Sequence, residues 1–242
     1  MEELKDKTAM QKTQIFNVII LDRSGSMQRI RQAAVDGFNE TLVGIKKAQE
    51  KFADTQEHFV SLVTFCSCET CNVFDKVPVG KAHLLSMNDY EPCCSTPLYD
   101  AIGFTLTAMH KQIKDIEDVA VVVTIITDGY ENASKEYNGS SIKALVETLR
   151  KEGWTFTYMG ANQDSMEVAM SMSIRNARNF DYSSEGTRAS MRKDTTTRMN
   201  FFSRLSQMKN ETAFCAEPMS KEERLGCYGR LADEAFDEEE NK

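Results

Sequence analysis

The chain has 242 residues and a formal net charge of −8, from 29 Lys and Arg against 37 Asp and Glu. That length allows one large or two small domains with a substantial core, and 41% hydrophobic with 27% charged residues is an ordinary globular composition. The acidic surplus argues against a nucleic-acid partner, which needs a basic surface to displace counterions, and no apolar run approaches the roughly 18 residues of a membrane span.

Residues 1–13 are polar and of mixed charge and read as an N-terminal arm. They lack the apolar stretch of a secretory signal, so the expected location is cytoplasmic, with no membrane partner. IFNVIIL at 15–21 is a nearly continuous, β-branched apolar run, the pattern of a strand buried on both faces. After the polar turn DRSGSM, the spacing of Ile30, Ala34, Phe38, Leu42, Ile45 and Ala48 predicts a helix over 29–51. HFVSLVTF at 58–65 and TCNVFDKV at 70–77 read as a hairpin. A loop over 78–97 ends in Thr96 and Pro97, which suit a helix N-cap and first helical position, and Leu98, Ile102, Leu106 and Met109 give that helix its apolar face.

VAVVVTII at 119–126 is another buried strand, followed by TDG and a polar loop leading to a helix near 140–151. A strand over 154–160, a helix near 163–172 and a short strand near 178–182 continue the alternation. The expected fold class is therefore α/β: three layers, Rossmann-like, with a mainly parallel central sheet, one antiparallel edge strand and helices on both faces. Beyond 183 the pattern becomes polar helix, with Met191, Met199, Phe202 and Leu205 on one side. A last amphipathic helix over 220–236, carrying Leu225, Tyr228, Leu231 and Ala235, is expected to pack on its own domain. The acidic run from Asp233 to Glu240 reads as a solvated tail.

The chemistry-bearing residues fall where strands end. Asp22 closes the first buried strand and Asp128 follows the second, and open parallel sheets bind ligands at strand carboxyl ends where the strand order reverses. Asp is also a common turn residue, so either alone has a structural reading. With the hydroxyls of Ser24, Ser26 and Thr96, the two carboxylates form an all-oxygen donor set suited to Mg2+ or Mn2+ rather than to zinc or copper. Only two of those groups are charged, so an ion held there keeps much of its positive charge and can accept an outside carboxylate.

Three motifs give this set a family resemblance. DRSGS at 22–26 matches the D-x-S-x-S signature of von Willebrand factor type A (vWA) domains, STPLYDAIG at 95–103 resembles their second loop, and ITDGYENAS at 126–134 their third. Together they resemble a complete metal-ion-dependent adhesion site. The resemblance implies direct binding of Mg2+ by Ser24 and Ser26, with Mn2+ or Ca2+ as alternatives. Thr96 then binds directly or through water, and Asp22 and Asp128 act partly through bridging waters. From about 15 to 205 the chain is similar to stand-alone soluble bacterial vWA proteins, which share GFNE at 37–40 and GANQD at 160–164. This implies a vWA domain over 14–205 and leaves 206–242 as a C-terminal helical extension with an acidic tail. The expected function is cation-dependent binding of an Asp or Glu side chain on a partner protein, an AAA+ ATPase in some vWA systems, and not catalysis. The alternatives are a structural subunit of a larger assembly, a cysteine-based zinc or redox sensor, and a metal-assisted hydrolase.

Seven cysteines, an odd number, argue against a full disulfide framework. Cys66, Cys68 and Cys71 lie around the hairpin turn and Cys93 and Cys94 just before Thr96, so five thiols are expected at the metal rim. Zinc, a labile disulfide and simple loop packing all fit them, the last most simply, because the spacing matches no familiar zinc module. His58, His83 and His110 are isolated, and neither a nucleophile elbow nor a phosphate loop is present.

Overall fold

A computed structural model describes residues 11–160, 165–180, 184–212 and 219–240. The elements in order are β1 (Thr13–Asp22), α1 (Arg31–Lys51), β2 (Gln56–Cys66), β3 (Glu69–Pro78), α2 (Leu98–Ile113), β4 (Val119–Thr127), α3 (Gly139–Lys151), β5 (Thr155–Gly160), α4 (Ser165–Ser171), β6 (Asn176–Asn179), α5 (Ser184–Thr212) and α6 (Lys221–Glu240). They build one six-stranded sheet of order β3-β2-β1-β4-β5-β6. All neighbouring strands are parallel except the β2–β3 pair, which supplies the antiparallel edge.

The alternation of side chains explains the apolar strands. Phe16, Val18 and Ile20 of β1 and Val121, Val123 and Ile125 of β4 face the layer of α2, α3 and α4, packing on Leu98, Ile102, Ile142 and Val146. Ile19 and Leu21 face α1, against Ala34, Phe38 and Met191 of α5. Ile15, Ala120 and Val122 meet Phe201, Phe202 and Leu205 of α5 and Tyr228, Ala232 and Ala235 of α6. Both faces are therefore covered, so neither strand has a polar side to show. Gly37 and Gly44 of α1 let α5 lie close, since a Cβ at either would meet Met191 Cγ at 2.6 Å or Thr195 Cγ2 at 2.5 Å.

The polar-looking α5 carries charge into the core. Arg198 and Asp194 are buried and bonded at 2.7 Å, and the guanidinium also donates to Asn17 Oδ1 of β1 at 3.2 Å and to Thr124 of β4. The helix runs unbroken through residue 205, and α6 packs on the same core.

Two expectations change and one is made more specific. Thr96 does not cap α2: Pro97 holds that position without a side-chain bond. Asn132 holds Thr96 instead, accepting from its N–H at 2.8 Å and donating a backbone N–H to its carbonyl at 3.1 Å. The acidic run lies at the end of α6 with Asp233, Glu234 and Glu238 largely exposed to solvent, and Arg204 pairs there with Glu234 at 2.7 Å and Glu238 at 2.6 Å. The last strand is β6 over Asn176–Asn179, two residues earlier than expected. Residues 181–182 of the expected strand, 161–164 of GANQD and 1–10 of the arm lie outside the described residues.

Candidate metal centre

β1 lies between β2 and β4, and the chain leaves β1 for one side of the sheet and returns on the other. The strand order thus reverses between β1 and β4, and the crevice at their carboxyl ends is where such sheets bind ligands. Asp22 is the last residue of β1, and Asp128 follows the last residue of β4.

The expected residues meet there in a connected chain of bonds. Asp22 Oδ1 accepts the Ser24 backbone N–H at 2.7 Å. Ser24 Oγ is 3.2 Å from Ser26 Oγ, which donates to Asp128 Oδ1 at 2.6 Å. Thr96 closes the ring: a Cβ built on Gly129 would have Thr96 Oγ1 at 3.0 Å, Ser26 Oγ at 3.3 Å and Asp22 Oδ2 at 3.6 Å around it. Gly129 therefore leaves room among these oxygens rather than supplying a left-handed turn, since its φ is not positive. Asp22, Ser24, Thr96 and Asp128 are buried while Ser26 and Gly25 are exposed, so the cluster opens to solvent along the first loop. Exposed Tyr130 follows Gly129 on the third loop.

Burial sets the electrostatics. It pushes Asp22 up to about 6, against bonds from Thr127 and Ser24 that pull it down. Burial also raises Asp128, against the Ser26 bond. Two carboxylates held in a pocket that disfavours their charge make a site short of positive charge. A cradle of five oxygen donors, two of them anionic, fits a hard divalent cation.

Several supporting residues escaped the sequence reading. Thr127 donates to Asp22 Oδ2 at 2.6 Å and accepts the Gly129 N–H at 3.1 Å, joining the ends of β1 and β4. Its position inside the ITDG motif was the available signal. The Tyr90 hydroxyl donates to the Asp22 carbonyl. Glu131 accepts from the backbones of Tyr99, Ala133 and Ser134 at 2.7–2.8 Å. Asp100 accepts from those of Lys135, Glu136 and Tyr137 at 2.8–2.9 Å. These two carboxylates fasten the third loop to the start of α2.

Cys66, Cys68, Cys93 and Cys94 gather at the neighbouring rim, whereas Cys71 sits lower on β3 opposite Thr64. The histidines are engaged elsewhere. His58 is buried beside Gln56 and Phe202 near the start of β2, with its pKa lowered by burial to about 3. His110 bonds Glu152 at 2.8 Å, and His83 packs edge-on against Phe74.

No protein-family model and no curated protein matches this sequence. Solved structures share its fold. Proximal thread matrix protein 1 from the mussel byssus, in a form with a zinc-occupied MIDAS motif, is 15% identical with a TM-score of 0.52, over 78% of this chain and 46% of that one. This chain thus spans about half the length of that protein. Manganese-loaded Plasmodium vivax TRAP is 14% identical with a TM-score of 0.50, over 76% and 73% of the two chains. The SpRpn10 VWA domain is 11% identical with a TM-score of 0.52, over 74% of this chain and 94% of that domain. With its switch point between β1 and β4 and its single antiparallel edge, this chain has the fold of a von Willebrand factor type A domain.

Proposed function

We propose that this chain is a divalent-cation-dependent protein-binding module, with Asp22, Ser24, Ser26, Thr96 and Asp128 holding Mg2+ and an Asp or Glu of a partner protein completing the site. The observation that carries this reading is the convergence of five oxygen side chains, only two of them carboxylates, at one solvent opening. The cation, when bound, supplies a Lewis-acidic position for one carboxylate oxygen. The protein's own residues do the rest. Thr127 and Ser24 orient Asp22, Ser26 orients Asp128, and Gly129, with no side chain, leaves the space between these oxygens open.

Neutral hydroxyls leave the ion electropositive enough to take an anionic partner ligand, and Mg2+ suits a compact all-oxygen set, with Mn2+ or Ca2+ as substitutes. Structural neighbours with zinc or manganese support a divalent ion in general. The acidic chain favours a protein partner over nucleic acid. An AAA+ ATPase is the first partner class to try. We read the chain as a binder rather than an enzyme because the three histidines, the usual general bases, are committed elsewhere.

The test is capture of an immobilised acidic-peptide panel, then of candidate partners, in Mg2+ and in chelator. Binding present in Mg2+ and lost both in chelator and in Asp22→Ala supports the proposal. Binding that survives both treatments overturns it.

A further inference from the structure

The rim beside the oxygen cluster carries a second donor set of opposite chemical character. The β2–β3 turn brings Cys66 and Cys68, and the loop before Thr96 brings Cys93 and Cys94. The two segments are laced together: Ser67 N–H donates to the Ser95 carbonyl at 2.9 Å, and Ser95 N–H returns to Ser67 Oγ at 3.1 Å. Sulfur atoms of Cys66, Cys68 and Cys93 all lie within 4.8 Å of one another. Cys66 Sγ is 3.6 Å from Cys93 Sγ, and Cys94 Sγ is 2.7 Å from Cys68 Sγ.

We propose that Cys66, Cys68, Cys93 and Cys94 form a thiolate site for a soft divalent cation of the zinc class, distinct from the oxygen cluster.

Four sulfurs around one tetrahedral zinc, at Zn–S of about 2.3 Å, stand roughly 3.8 Å apart. The Cys66–Cys93 pair is already close to that at 3.6 Å, and the trio Cys66, Cys68 and Cys93 lies within reach of one ion. Cys94 joins as fourth ligand by moving away from its 2.7 Å contact with Cys68. The surroundings are those of a held thiolate. Cys66 sulfur accepts backbone N–H groups from Cys68 and Glu69 within its own turn, and the Arg23 guanidinium lies 3.7 Å away. Such N–H···S bonds orient ligands and offset thiolate charge at metal centres. Cys94 is held at φ 64°, a left-handed conformation that favours glycine, in the position that sets its sulfur beside Cys68. Two disulfides, Cys66–Cys93 and Cys68–Cys94, would also use all four sulfurs but only by losing four electrons to an oxidant, whereas one soft cation uses all four with no oxidant. Each ligating thiol gives its proton to solvent on binding, and no electron moves. The site would also fix the loop leading to Thr96, since the Cys94 carbonyl accepts the Gly25 N–H of the first loop at 3.0 Å.

The experiment uses the full chain, reduced, in an Asp22→Ala background that disables the oxygen cluster. Zn2+ is titrated with metal analysis after dialysis, and Co2+ is added separately to read thiolate-to-cobalt charge-transfer absorption. About one equivalent of zinc is expected to remain and to disappear in the added double variant Cys66→Ser, Cys93→Ser. Charge-transfer bands are expected with Co2+ in the Asp22→Ala protein, a readout that stands even if the double variant fails to fold. No retained zinc, or Co2+ without thiolate bands, overturns the proposal. Zinc that is lost with Asp22→Ala but kept in a chain carrying only the cysteine changes places the ion on the oxygen cluster. That outcome sinks the thiolate site while leaving the reading above intact. A Cys68–Cys94 disulfide that persists in reducing buffer, seen by mass, also overturns it.

Discussion

The buried carboxylates of this protein are of two kinds. Asp194 and Asp118 are served by the chain's own cations: Arg198 holds Asp194 at 2.7 Å, and Lys209 reaches Asp118, which also accepts from Tyr228 at 2.6 Å and Thr13 at 3.2 Å. Asp22 is as deeply buried, yet its described hydrogen bonds come from neutral donors, a backbone N–H and the Thr127 hydroxyl. The first kind pins helices to the sheet. The second sits at the strand-order reversal, where the proposed function has a cation from solution supply the positive charge. Burial of an acid therefore means different things at different places in this fold, and what decides is who supplies the cation.

The sharpest way to break that contrast is to remove a supplied cation. Arg198→Leu should leave Asp194 buried and uncompensated and cost about 3–5 kcal/mol in chemical denaturation. A cost near zero would mean that the pair holds nothing together. Amide substitutions should then have opposite signs at the two kinds of site. Asp118→Asn should destabilise by about 2–3 kcal/mol through loss of the Lys209 pair. Asp22→Asn should stabilise the cation-free protein at neutral pH by about 3 kcal/mol, the free energy of the shift from 3.8 to about 6. Destabilisation by both would contradict the division.

pH should report the same difference. Asp22 holds its proton more tightly in the folded than in the unfolded chain, so its contribution is fully present below pH 3.8 and is lost as pH rises through about 6. Without divalent cation, this group should therefore lower the melting temperature across that window. With Mg2+ the fall should shrink, and Mg2+ affinity should rise with pH through about 6 as the competing proton leaves. The smallest effect is expected at Gly129→Ala, whose methyl enters the cradle at 3.0 Å from Thr96 Oγ1. It should weaken cation binding by about tenfold, about 1.4 kcal/mol, with little change in the cation-free melting temperature.

The same physics explains what could be read from the sequence. β1 and β4 were legible because burial on both faces leaves an unbroken apolar run, and Asp22 and Asp128 were legible because they end those runs. Ser24, Ser26 and Thr96 came with motifs that recur as a set. Arg198 was not legible: one Arg in a polar helix normally faces water, and only the long-range arrival of Asn17 and Thr124 makes it a core residue. Glu131 and Asp100 were missed for a similar reason, since their work is to bind the backbone of distant loop residues. The capping assignment of Thr96 failed because local helix-start chemistry lost to the tertiary bonds of Asn132.

Under the proposed function, the oxygen cluster at the β1–β4 switch point takes its positive charge from a divalent cation. Calorimetric titration of Mg2+ into chelator-treated protein near neutral pH tests it most directly, with Asp22→Ala and Cys66→Ser proteins alongside. Saturable single-site binding is expected in the wild-type and Cys66→Ser proteins and none in Asp22→Ala. Mg2+ binding that is absent from the wild type, or unchanged by Asp22→Ala, would contradict it.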